Sequence, residues 1–285
     1  MEEYGKVYWH EAHHIALELE LYEYMDVLEF VEEHELSKEA LRMDTLIIKK
    51  VKDVQIKKNI GRIFKGHNIV EYKSEKDSFS YWDYQKVMGY AFIYSAFEKV
   101  EISDITISIS LTMFPLELVK TLENERGLNV ESIGSGIYHI KDEIIPVQIL
   151  ESKNLPEDEN LFLHNLRSNL SSKAMFKTLQ VCKERDVLDY KNVFLSRLVK
   201  ANHEAYKEAV DMFSEDLREI IMAGAERGGW LIDAYRKREL ETAKQIAKNM
   251  LLLGLPVEKV AKATELPLET VMSLANELGK MPDAC

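Results

Sequence analysis

Hydrophobic and polar positions in the first third of the chain predict one helix followed by three strands. Residues 8–23 repeat apolar side chains at helical spacing, among them Ile15 and Leu19. Three short segments that are apolar or alternating predict strands: residues 25–36, 42–50 and 68–74. The predicted order at the start of the chain is therefore helix, strand, strand, strand.

The pattern then alternates between helices and strands up to about residue 151. Residues 80–97 predict a helix, and Ser80 with Asp83 three positions later has the spacing of a capping box. The other predicted elements are a strand at 103–114, a helix at 115–127 that begins with proline and ends with glycine, and two strands near 128–140 and 144–151 with Gly134, Ser135 and Gly136 as their turn.

The character of the chain changes after residue 155, because no further strand pattern follows. We therefore divide it into residues 1–155, an α/β domain, and residues 156–285, a helical domain. Residues 160–171 and 193–213 have the pattern of amphipathic helices, and 241–278 that of a long helix followed by two shorter ones. The last pair has the cadence of a helix-turn-helix, but its glutamates suit DNA poorly and favour a packing or dimer-forming role.

Composition predicts a cellular location and argues against disulfide-rich and membrane-spanning proteins. A chain of 285 residues that is 46% hydrophobic can bury a sizeable core. Cys182 and Cys285 are its only cysteines, which fits a reducing cytoplasm and offers no disulfide framework. The apolar runs are too short for a bilayer and the N-terminus lacks a signal-peptide pattern, so we expect a cytoplasmic protein without membrane contact.

Charge is unevenly distributed along the chain. The net charge of −12 argues against broad nucleic-acid binding, yet residues 47–67 carry seven lysines and arginines against one acid. A solvated lysine-rich hairpin is one interpretation of this basic segment. The other is a phosphate-facing surface set between two acidic catalytic positions, Asp44 and Glu71. The candidate DNA ligands within it are Lys49, Lys50, Lys57, Lys58, Arg62 and Lys65.

Candidate chemistry lies near the start of the second predicted strand, at Asp44, and at the end of the third, at Glu71 and Lys73. Glu71 and Lys73 are two positions apart on one strand and therefore project from the same face. If the strands pair, Asp44 can approach Glu71, and two carboxylates brought together repel each other unless a cation joins them. Magnesium, or manganese, prefers such oxygen ligands together with phosphate oxygens. Lys73 could then orient an attacking water and stabilise charge on the phosphoryl group.

These residues and the phrases around them resemble the PD-(D/E)XK nuclease superfamily. LRMDTLIIKK, IGRIFKGHNIVEYKS and YQKVMGYAFIY are similar to its branch of recombination-promoting nucleases, also described as putative transposases. The resemblance implies a restriction-endonuclease-like mixed sheet flanked by helices and magnesium-dependent cleavage of DNA. The sequence pattern adds the all-helical C-terminal extension. The family motif falls on Asp44, Glu71 and Lys73. Met43 departs from it, since the motif has proline there.

The resemblance also extends the candidate site to two helices. A lysine or glutamine four residues before a tyrosine is found in many members, and Lys86 and Tyr90 hold that spacing on one helical face. A glutamate of the opening helix sometimes joins the metal ligands in this superfamily. Glu20 is our candidate, with Glu18 and Glu11 as alternatives. Cleavage of a duplex favours a pair of active sites, which leaves a homodimer open.

Two other hypotheses stay open at this point. The D…ExK pattern alone is weak, and the same fold could bind nucleic acid or a partner protein without catalysis. HEAHH at residues 10–14 also matches the H-E-x-x-H motif of zinc proteases, with His10 and His14 as ligands and Glu11 as base. No third ligand stands at a suitable position downstream, so we favour an amphipathic helix that carries a histidine cluster.

Overall fold

The computed structural model describes residues 9–31, 46–74, 77–188 and 192–278. These residues form one seven-stranded sheet and eleven α-helices. The strands are β1 (Leu28–Val31), β2 (Leu46–Lys50), β3 (His67–Lys73), β4 (Ile105–Leu111), β5 (Asn129–Gly134), β6 (Ile137–Lys141) and β7 (Val147–Glu151). The helices are α1 (Trp9–Glu20), α2 (Tyr81–Glu98), α3 (Leu116–Arg126), α4 (Leu161–Asn165), α5 (Ser172–Glu184), α6 (Asn192–Ala201), α7 (His203–Asp211), α8 (Glu215–Arg227), α9 (Trp230–Leu252), α10 (Val257–Thr264) and α11 (Leu268–Glu277).

The sheet is open and mixed, with the strand order β1-β2-β3-β4-β7-β6-β5. β1, β2 and β3 are antiparallel neighbours, while β3, β4 and β7 run parallel to one another. β6 and β5 extend the sheet as an antiparallel pair beyond β7. The α2 helix makes the crossover that parallel pairing of β3 and β4 requires. The chain is thus a mixed α/β protein, as the pattern predicts at this level.

The start of α2 follows the predicted capping box. The Ser80 hydroxyl accepts the Asp83 N–H at 3.2 Å, and the Asp83 carboxylate accepts the Ser80 N–H at 2.9 Å. Both bonds satisfy backbone donors that a helix N-terminus otherwise leaves without partners. The first turn of α2, which follows the end of β3 closely in sequence, is held firmly.

The prediction of a single strand near 128–140 is wrong. The chain reverses within this segment, so that β5 and β6 form a hairpin and the Gly-Ser-Gly turn lies between them rather than before β7. Gly136 has φ 70°, and a Cβ there would lie 2.6 Å from the Leu155 nitrogen. Only glycine fits this close approach without strain.

The helix predicted over 193–213 is divided in two by Asn202. The Asn202 side chain is buried, accepts the Leu170 N–H at 2.8 Å and donates to the Arg167 carbonyl at 2.9 Å. Its backbone leaves the helical region at φ −134°, between α6 and α7. The break lets the Asn202 amide form hydrogen bonds with the backbone of the loop before α5. The hydrophobic periodicity of residues 193–213 gives no sign of this long-range contact. The helix predicted over 160–171 is likewise only the short α4.

Each face of the sheet carries its own core. On one face α2 and α3 cover side chains such as Ile69, Ile107 and Ile109. On the other face Leu46 and Val70 belong to a core that continues through α1 and the helices α4–α8. The strands end near the predicted boundary at residue 155, but the helices that follow share a continuous core with α1. A third apolar cluster joins the end of α9 to α10 and α11.

The face of β4 that meets α1 is polar yet buried. Gln148 donates to the Ser108 hydroxyl at 2.7 Å, and His13 Nε2 is hydrogen-bonded to the Ser110 hydroxyl at 2.8 Å. Burial, reinforced by His14 and His10, holds the pKa of His13 well below its usual range. His13 is therefore a neutral partner inside the fold at neutral pH.

No helix within the described ranges combines the length and the hydrophobicity needed to cross a bilayer.

Candidate active site

Glu71 and Lys73 lie side by side at the carboxyl end of β3. The Lys73 ammonium is 3.6 Å from the nearer Glu71 carboxylate oxygen. Both alternate with Tyr72, which points to the opposite face and stacks on His13 with ring centroids 4.2 Å apart. Because Ile69 on the same side of β3 packs into the core beneath α2, Glu71 and Lys73 project toward the α2 face.

This pair is partly shielded from water but still accessible. The side chains of Glu71 and Lys73 are 12% and 25% exposed, respectively. Lys73 also lines a cavity of about 250 Å³ between Ser74 and residues 77–79 on one side and the segment 111–118 on the other. Partial burial strengthens charge interactions relative to an exposed pair, while the cavity leaves a route for a ligand.

The first turns of α2 bring a second lysine into the same charged region. Burial raises the pKa of Asp83, but the Ser80 hydrogen bonds and the nearby charges of Lys73 and Lys86 outweigh it, so the pKa is lowered overall. The Lys86 ammonium lies 5.4 Å from the centre of the Tyr90 ring. Lys73 and Lys86 thus both influence the Asp83 carboxylate, and the Lys86 and Tyr90 side chains lie close together on α2.

Asp44, the predicted second carboxylate, lies outside the described residues, as does Met43. The β2 strand begins at Leu46, which pairs with Val70, the residue before Glu71. The described part of the site therefore consists of Glu71, Lys73 and the start of α2.

Glu20 lies elsewhere, in the layer of helices on the opposite face of the sheet. One of its carboxylate oxygens accepts the N–H groups of Phe162 and Leu163 at 2.6 and 3.2 Å, and the other pairs with the Lys58 ammonium at 2.8 Å. Burial raises the pKa of Glu20, and Lys58 opposes the rise. The carboxylate caps the start of α4, so the expected metal-ligand role of Glu20 does not fit this geometry.

The basic segment lies at the far end of β3 from Glu71. Lys49 pairs with His67, the first residue of β3, which is about 13 Å along the strand from Glu71. Several of its amines bind other groups: Lys58 contacts Glu20 and the Glu159 carbonyl, and Lys65 donates to the Ser103 carbonyl at 2.6 Å. The expectation that this segment borders the catalytic positions is not supported.

The HEAHH segment does not form a zinc site within the described part of the chain. His10 packs edge-on against Tyr72 with ring centroids 5.3 Å apart, while Glu11 approaches Arg197 at 3.4 Å. No group of three histidines, cysteines or acids among the described residues is placed to hold a metal. A metal site that includes Asp44 is not covered by that finding, because Asp44 lies outside the described residues.

A further acid, absent from the predicted site, lies at the same edge of the sheet. Glu151 ends β7, is buried, and accepts the Tyr138 hydroxyl at 3.1 Å. Leu111 of β4 pairs with Lys73 on one side and with Glu151 on the other. Glu151 therefore lies level with Lys73, two strands away across the sheet. The signal was available, because Glu151 and Lys153 repeat the E-x-K spacing. The strand ends at Glu151, however, and a turn follows, which removes Lys153 from the shared face.

Comparisons with protein-family models, with curated proteins and with solved structures return no match to this chain. The fold defines a mixed α/β protein, and its described residues place an acid and an amine at the carboxyl end of a central strand. Function is therefore argued from the chemistry of these side chains.

Proposed function

We propose that this protein is a metal-dependent DNA endonuclease with a restriction-endonuclease-like fold of the PD-(D/E)XK type. The observation that carries the proposal is the approach of Lys73 to Glu71, 3.6 Å apart at the end of β3. The antiparallel β1–β2–β3 unit, followed by α2 and the parallel β4, suits the mixed sheet that the sequence resemblance implies. A link to recombination or transposition, and a homodimer, rest on that resemblance alone.

The donor set fits a hard divalent cation. Glu71 offers carboxylate oxygens, and magnesium commonly takes one or two carboxylates together with water and substrate phosphate oxygens. Asp44 is the proposed second ligand, from the segment that precedes β2. A bound magnesium or manganese ion polarises the phosphate and makes hydroxide available near neutral pH.

The lysines supply positive charge where a phosphodiester needs it. Lys73 sits beside the carboxylate and can donate to an attacking water or to the phosphoryl oxygens as negative charge develops. Lys86, placed over the Tyr90 ring, adds a second cation on α2 for a neighbouring phosphate. Lys57 and Arg62, two exposed candidate DNA ligands of the basic segment, would meet DNA only at a distance from the scissile bond.

Cleavage of supercoiled plasmid in magnesium, with and without EDTA, tests the proposal. We expect nicked or linear product in magnesium or manganese and none with EDTA, because the carboxylates cannot activate water without a cation. The metal-free control also separates the alternative function. Retained DNA binding with no cleavage in either metal would contradict the nuclease and leave a non-catalytic binding protein on the same fold.

A further inference from the structure

Trp82 is the most exposed aromatic side chain among the described residues. It stands in the first turn of α2 with 75% of its surface open to solvent. Keeping an indole in water forgoes the free energy of burying it, so a large exposed aromatic group is a candidate contact surface. The position of Trp82 indicates what it would contact.

Trp82 is one residue away from a carboxylate that interacts with the proposed cleavage site. Asp83, the next residue, lies within electrostatic reach of Lys73. Lys86 is four residues after Trp82 in α2, and Tyr90 is eight residues after it. This spacing places all three side chains on one helical face. Apart from the adjoining backbone of α2 itself, no atom of the described structure lies within 4 Å of the position that a Cβ on Gly89 would take, so the helix is open on this side. The face presents an aromatic ring, a cation and a second aromatic ring.

The turn that carries Trp82 is rigidly braced. Its neighbour Tyr81 accepts hydrogen bonds from Arg126 at 2.6 Å and from Gln85 at 2.7 Å. The Tyr81 and Trp82 ring centroids are 5.9 Å apart. Together with the capping box at Ser80, these contacts fix the backbone below the indole, and a surface that is already ordered loses less entropy when a ligand binds.

We propose that Trp82 is a stacking platform for an unpaired base beside the scissile phosphate, so that the substrate carries single-stranded DNA at this site. The inference rests on the proposed nuclease function and specifies its substrate. Aromatic side chains bind single strands by stacking on bases, with cations tracking the phosphates between them. Base faces inside a duplex are already stacked on each other, so an indole on a helix surface can reach one only at an unpaired position.

Binding of a fluorescein-labelled oligo(dT) and of a blunt duplex of equal length to the full chain tests this inference, with calcium in place of magnesium. We expect Trp82→Ala to weaken oligo(dT) binding about tenfold and duplex binding much less. Trp82→Phe, which keeps an aromatic ring, should retain most of the affinity. The matched control is Phe97→Ala, because Phe97 is 62% exposed on the same helix about 22 Å away, and it should bind as the unmodified chain does.

Indole fluorescence gives a second readout. Trp230 is fully buried and Trp9 is partly buried, so quenching of tryptophan emission by unlabelled oligo(dT) should disappear in Trp82→Phe. Failure of the unmodified chain to bind oligo(dT), or equal binding by Trp82→Ala, would overturn the inference. Neither readout requires cleavage. Quenching without any nuclease activity would therefore contradict the proposed function alone, and cleavage with unaltered Trp82→Ala binding would contradict the stacking role alone.

Discussion

Lys73→Ala is expected to lower DNA cleavage by a factor of about 100 or more while the fold stays intact. Its ammonium lies 3.6 Å from the proposed metal-binding carboxylate, and loss of one charged donor from a partly shielded site typically costs about 10²–10³ in turnover. The expected change in the free energy of unfolding is below about 1 kcal/mol, because the side chain still reaches solvent.

The matched control for this prediction is Lys120→Ala. Lys120 forms an ion pair with Glu117 at 2.8 Å on α3, and both side chains are mostly exposed. Lys120 itself is not among the residues that line the cavity beside Lys73. Rates on supercoiled plasmid in magnesium are compared for the two variants, with circular dichroism to verify folding. Turnover of folded Lys73→Ala within a few-fold of the unmodified enzyme would exclude the assigned role.

Glu20→Ala is expected to destabilise the protein by about 2–4 kcal/mol. The substitution leaves two buried N–H groups at the start of α4 without their acceptor, and it leaves Lys58 without its carboxylate. The Lys58 side chain is 20% exposed and can turn toward water, so the loss should be smaller than for a fully buried ion pair. The effect is structural and extends across 142 positions of sequence.

Urea denaturation of Glu20→Ala and of an exposed control, Glu117→Ala, measures this effect. Glu117 is 85% exposed, and its removal should change the free energy of unfolding by less than about 0.5 kcal/mol. Equal stabilities for the two variants would show that the contacts of Glu20 with α4 contribute little.

The sequence predicts the part of the site that depends on local geometry. Glu71 and Lys73 share a face because side chains alternate along a strand, and Ser80 caps α2 because its hydroxyl and the Asp83 carboxylate are three residues apart. Period and capping chemistry involve only neighbouring residues, so they survive whatever packs around them.

Long-range packing decides what the sequence does not show. Glu20 is an ordinary acid of an amphipathic helix until α4, far along the chain, places two N–H groups against it. Alternating polar residues of β4 suggest a solvated face, but α1 covers them and Ser108 and Ser110 find internal partners. The partners of Glu20 and of the β4 serines depend on which helices and strands pack together, and hydrophobic periodicity does not predict that.

The location of the basic segment follows from strand direction. Residues that join two antiparallel strands lie where the first ends and the second begins, and here that is the start of β3 at His67. Glu71 stands near the other end of the same strand. The connection therefore could not border the candidate catalytic residues, and hairpin geometry alone would have corrected that expectation.

Manganese binding to the full chain, followed by electron paramagnetic resonance of the free ion, tests most directly whether Glu71 holds a divalent cation. Three proteins are compared: the unmodified chain, Glu71→Gln, and Glu20→Gln, which keeps an amide oxygen to accept the α4 N–H groups. We predict an affinity at least about tenfold weaker for Glu71→Gln and unchanged for Glu20→Gln. Manganese bound equally well by folded Glu71→Gln, or weakened binding by folded Glu20→Gln alone, would contradict the site described at the end of β3.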